Sequence, residues 1–238
     1  MQFRRAASIA VSAREMIVML WGSTSIRGYS VEATDGLSGT VEDFIFEDVG
    51  WTIRWLVVET GDWLSGRRVY VPVSAFGKPD PKERQIPLIL TMDQIGQCQS
   101  GDASQLKDDA TGAHFTQGEV AAGPVHHGQN HFRSLARLEG SAIEATDDEV
   151  GHAENFIIET DTWLVKYLVV HTSDWWPGEK LLVAVDTISG IDYTRNILKL
   201  DVTRQFVKDS LPFSPEQTEE GAYDESFLTY FGIRFVKK

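Results

Sequence analysis

The chain has 238 residues, 42% apolar and 24% charged, a globular composition with room for one large domain or two small ones. Lys and Arg number 22 against 35 Asp and Glu, a net charge of -13 near pH 7, and a surface that acidic argues against nucleic acid as a partner. The single cysteine, Cys98, excludes an intrachain disulfide framework and a Cys-rich zinc site, so the expected setting is a reducing cytoplasm.

At the amino terminus, Arg4 and Arg5 precede an apolar stretch from Ala6 to Ala13 that Arg14 and Glu15 interrupt. Neither this stretch nor Met16 to Trp21 approaches the ~20 apolar residues a spanning helix needs. Residues 1–20 are therefore expected to be an unstructured extension, with neither a signal peptide nor a membrane span.

From Arg27 onward the chain repeats itself. Residues 27–76 align without a gap on 139–188, an offset of 112, with identities at about 20 of about 50 positions. Within each copy the apolar pattern has period two and is bounded by Gly, Asp and Pro, which predicts short strands. The first copy gives strands at Tyr29–Glu32, Gly39–Glu47, Ile53–Thr60, Arg67–Val73 and Gln85–Leu90. Their counterparts are Ser141–Glu144, Gly151–Glu159, Val165–Thr172, Lys180–Val185 and Asn196–Val202. Five short strands in so few residues favour a small closed or nearly closed antiparallel barrel, because closure removes open edges. Asp35-Gly36 offers the first hairpin turn, which Asp147-Asp148 must make without glycine. Trp51 and Trp163 open the third strands, where a large ring can close a barrel end. Thr91 and Thr203 supply N-caps for short helices after the fifth strands.

The organisation that follows is domain 1 over 21–98, a Gly- and His-rich linker over 99–131, domain 2 over 132–212, and a tail over 213–238. In the tail Tyr223, Phe227, Tyr230 and Phe231 stand at helical spacing, which predicts one amphipathic helix.

The run from Gly28 through the Asp35-Gly36 turn, Gly39, "VEDF", "RWLVVETGDW" and the late "LTMDQI" helix resembles the PRC-barrel family, in its tandem form. That family includes the cytoplasmic domain of the photosynthetic reaction-centre H subunit and the carboxy-terminal domain of a ribosome-maturation factor. The resemblance implies mainly-β architecture, two tandem barrels packed with pseudo-twofold symmetry, and docking on other macromolecules in place of a defined enzymatic activity.

Chemistry-bearing residues are few. His126, His127 and His131 cluster in the linker, where a solvated loop is a better reading than a metal site. His152 and His171 stand on strands opposite non-histidine counterparts, Thr40 and Glu59. Glu32, Asp35, Glu42 and Glu47 recur as Glu144, Asp147, Glu154 and Glu159, a retention that turn capping and strand surfaces explain more simply than an acid–base pair. No phosphate loop, GxSxG elbow, HExxH helix or CxxC pair is present.

The Trp-bearing loops read as plugs or contact anchors. Trp63 and Trp175 are duplicated and read as structural; Leu64 and Trp176 are candidate contacts, with Tyr223, Phe227 and Tyr230 of the tail. The expected function is a non-catalytic adaptor that binds a protein partner, without cofactor or metal. Two other readings stand beside it. One is a membrane-peripheral accessory of an electron-transfer complex, with Glu42, Glu154 and His152 relaying protons. The other is a small-molecule-binding or hydrolytic protein using the cleft between barrels.

Overall fold

The computed structural model describes residues 20–101, 132–172 and 179–213. The first segment holds β1 (Leu20–Gly22), α1 (Ser23–Ile26), β2 (Ser30–Ala33), β3 (Gly36–Glu47), β4 (Thr52–Glu59), β5 (Arg68–Pro72), β6 (Gln85–Pro87) and α2 (Met92–Gly96). Then come β7 (Phe132–Ser134), β8 (Ala142–Glu144), β9 (Glu149–Glu159), β10 (Leu164–His171), β11 (Lys180–Ala184), β12 (Ile188–Asp192), β13 (Ile197–Leu200), α3 (Arg204–Lys208) and β14 (Leu211–Pro212). The protein is mainly β, as its period-two pattern predicts. Residues 1–19 of the extension expected over 1–20, most of the linker, the "DWWPG" loop and the tail helix lie outside the described residues, whereas Leu20, expected in that extension, is buried in β1 because it pairs with the other half's sheet.

In each half the strands curl into a barrel-like sheet. β3 pairs antiparallel with β2 and β4, and β4 with β5; β9 pairs the same way with β8 and β10, and β10 with β11. One pair in each half departs from the expected antiparallel pattern: β6 lies parallel to β2, and β13 parallel to β8. After β5 the chain makes a 3-10 turn at Val73–Ala75 and a proline-bearing loop in place of a hairpin. The next strand therefore arrives at the far edge of the sheet. The same site in the long strand needs glycine in both halves. A Cβ on Gly39 would stand 2.0 Å from the carbonyl oxygen of Glu59, and one on Gly151 2.0 Å from that of His171.

The two predicted helices form where Thr caps them. Thr91 Oγ1 accepts from the Gln94 N–H at 3.3 Å, and Thr203 Oγ1 from the Phe206 N–H at 3.3 Å. The hairpin aspartates add a second cap from outside the helix. Asp35 Oδ1 accepts from the Met92 N–H at 2.8 Å, and Asp147 Oδ1 from the Arg204 N–H at 2.7 Å.

The leading strand of each half sits on the other half's sheet. β1 pairs with β9, Leu20 opposite Glu159, while β7 pairs with β3, Phe132 opposite Glu47. Leu20 packs with Ile157, Tyr167, Val169 and Leu182, and Phe132 packs with Ile45, Val57 and Tyr70 at the corresponding positions. Asn155 and Asp43 receive the two exchanged segments. Asn155 Oδ1 accepts from Ser23 Oγ at 2.8 Å and the Thr24 N–H at 3.2 Å; Asp43 accepts from Ser134 Oγ at 2.5 Å and the Ala136 N–H at 3.0 Å.

Trp51 and Trp163 both take a positive φ, 52° and 57°. Beyond closing a barrel end, they form the seam between halves. Trp51 stacks on Phe46 of its own half at 5.0 Å and on Phe156 of the other at 6.1 Å. Trp163 meets Phe76 edge-on at 6.3 Å. One apolar core consequently runs through both halves.

Candidate interaction site

The end of the first sheet bears Trp63, the contact aromatic singled out by the sequence that lies among the described residues. Trp63 lies in a 3-10 turn, Gly61–Leu64. Its indole N–H donates to the Ser38 carbonyl at 2.7 Å, yet the residue stays 37% exposed. Leu37, which precedes Ser38 in the chain, is 63% exposed. Leu64, the surplus residue of the first loop, is half-buried against the core, so the indole is the more open of the two. A Cβ on Gly96 would touch both Trp63 and Leu64 at 3.8 and 3.9 Å, which places this end of α2 directly behind them. Asp35, Asp62 and Asp93 are exposed on the hairpin, the 3-10 turn and α2. Exposed apolar and acidic side chains therefore share this end of the first half. On α3 of the second half, Phe206 is 51% exposed where the first half has Gln94. Trp175, Trp176, Tyr223, Phe227 and Tyr230 lie outside the described residues.

A cleft of about 770 Å³ opens between the halves. Val49, Ile53, Phe76 and Trp163 give it apolar walls, and Arg54 and Lys78 stand at it. Both cations are engaged: Arg54 donates to Glu47 at 2.6 Å, and Lys78 reaches Asp161 of the other half at 2.7 Å. The corresponding space across the seam, bounded by Trp51 and Ile188, measures only about 200 Å³. There β12 forms a full hairpin with β13, and the Tyr193 hydroxyl donates to Asp48 at 3.2 Å while Arg133 lies over its ring at 4.8 Å. Burial first, then Asp48, pushes that phenol far above its ordinary range. On the wide side the positions of Asp48 and Arg133 are held by Thr160 and Trp21. Thr160 Oγ1 and Trp21 Nε1 are buried and find no hydrogen-bond partner among the described residues.

The recurring carboxylates do the same structural work in both halves. Glu42 pairs with Arg68 and Glu154 with Lys180; Glu47 pairs with Arg54 and Glu159 with Lys166. Each candidate relay carboxylate is thus held by its own cation. His152, the third candidate relay group, faces His171 instead, ring to ring at 4.8 Å. Sequence reading placed both histidines on strands without bringing them together. Cys98 is half-buried, and burial pushes its thiol up to about 11, which removes it as a ready nucleophile. Among the described residues no group of three or more His, Cys, Asp or Glu converges, and no helix is long and apolar enough to cross a membrane.

A family model described as the PRC-barrel domain matches residues 22–87. No curated protein matches the chain.

Proposed function

We propose that the chain is a tandem PRC-barrel protein acting as a cytoplasmic, non-catalytic adaptor, its second half a diverged copy of the first. The observation that carries this reading is the Trp63–Leu37 surface. The indole is fixed by its N–H bond, so it offers contact area at little further entropic cost, the property of an interface anchor. The exposed acidic side chains at that end, on a chain of net charge -13, favour a basic segment that inserts an apolar side chain. The duplication supports the tandem reading through the equivalent strands, caps and ion pairs of the two halves.

The test uses a carboxy-terminally tagged full chain with Trp63→Ala and Leu37→Asp variants. A stoichiometric partner recovered at low salt and lost at higher salt is expected. Both variants should lose it, Leu37→Asp while keeping the wild-type melting curve and Trp63→Ala with a lowered but still cooperative one. A partner retained by both variants would put the contact elsewhere.

A second reading rests on the cleft. Its volume lies within the range of small-molecule sites, about 300–1,000 Å³, and the unpartnered Thr160 hydroxyl, on a residue that lines it, favours a polar ligand. A metabolite that raises the melting temperature, and fails to do so in Thr160→Val, would support it.

A further inference from the structure

His152 on β9 and His171 on β10 are register partners in the second sheet. Both are half-buried, and their rings meet at 68° with centroids 4.8 Å apart. Imidazole nitrogen binds a first-row ion at about 2.0–2.1 Å. With about 1.1 Å of ring radius, two rings sharing one ion at a square or tetrahedral angle stand about 4.5–5.2 Å apart. The observed spacing falls inside that window without movement of either strand.

Comparison of the halves isolates this pair. Lys180 pairs with Glu154 beside it, as Arg68 pairs with Glu42 in the first half. A flanking ion pair thus occupies equivalent positions in both halves, with Lys180 in place of Arg68, while the register partners Thr40 and Glu59 are replaced by two histidines. No side-chain hydrogen bond of either imidazole occurs among the described residues.

We infer that His152 and His171 form a two-imidazole site for a divalent transition metal on the outer face of the second sheet. Copper(II) is favoured over nickel and zinc by the general order of affinities, with water completing the coordination. Among the described residues no carboxylates converge with the two rings, and a pair of imidazole nitrogens suits a transition metal better than magnesium or calcium. The inference is independent of the adaptor reading.

The full chain is titrated with copper(II) and with zinc(II) by calorimetry, beside His152→Gln, His171→Gln, and a variant with His114, His126, His127 and His131 all changed to Gln. One ion is expected in the fourfold variant, and each single variant should bind it at least about tenfold more weakly, since even outer-shell partners change affinity about 10–100-fold. Substoichiometric copper should also broaden the ring signals of His152 and His171 first in the wild-type chain, a readout that does not depend on how the variants fold. Loss of all binding in the fourfold variant, unchanged affinity in both single variants, or broadening confined to other histidines would overturn the inference.

Discussion

Ile53 donates its backbone N–H to the carbonyl of Trp163 at 2.8 Å, and Val165 donates to Trp51 at 2.8 Å. The two bonds are the same bond seen from either half, because each residue is offset by 112 from its counterpart. Thr52 faces Leu164, its own equivalent, at the centre. Arg27 and Glu139, again equivalent positions, form an ion pair. A local twofold axis therefore runs through the seam, and residues on it meet their own copies.

That axis makes the charge at position 139 informative. Glu139→Ala leaves the half-buried Arg27 guanidinium without its carboxylate, a loss of about 1–3 kcal/mol after allowance for partial exposure. Glu139→Arg makes the second half like the first at this site and places two cations on the axis. It should cost more than the alanine variant, measured by urea denaturation.

Exchange of the leading strands predicts that damage crosses between halves. Phe132 belongs to the second half in sequence, yet packs edge-on against Trp55 of the first at 4.6 Å. Phe132→Ala should destabilise by about 3–5 kcal/mol. Calorimetry is expected to show one cooperative transition moved down in temperature, with no second half left at its original midpoint.

Asp43 and Asn155 perform one task with different chemistry, so amide should replace carboxylate at the first site. Asp43→Asn is expected to stay within about 1 kcal/mol of wild type, whereas Asp43→Ala strands the Ala136 N–H and costs about 1–3 kcal/mol. Chemical denaturation of the pair separates the two outcomes.

Alkali should unfold the chain through groups that folding keeps protonated. Burial pushes Cys98 up to about 11; burial, then Glu159 and Asp186, pushes Tyr167 up to about 12. The unfolded chain ionises these groups at lower pH, so their contribution is complete below about pH 9 and is lost as the pH rises through about 11 and 12. Cys98→Ser, which reproduces Ser210 of the other half, should flatten the early part of that loss in urea melts.

Local chemistry made much of this architecture legible. The period-two runs locate the principal barrel strands to within a few residues, and Thr91 and Thr203 cap helices as their positions foretell. Of the duplicated carboxylates, Asp35 and Asp147 cap the short helices and Glu42, Glu47, Glu154 and Glu159 form ion pairs. What stayed hidden depends on partners distant in sequence. β1 and β7 are three residues each and pair with the sheet of the other half, so only that distant sheet reveals them. β12 escaped because its first-half counterpart carries Pro79 and Pro81, which interrupt strand pairing, leaving isolated bridges at Phe76 and Asp80. The facing of His152 and His171 required the register of β9 against β10, which the identities of two residues 19 apart do not supply.

The most direct test of one interlocked body is to place a protease site between residues 102 and 131 and cut the folded chain. Reciprocal strand exchange predicts that the two fragments co-elute as one particle in native buffer, share one unfolding transition, and separate only in denaturant. Two fragments that elute apart, each folded and melting independently, would contradict it.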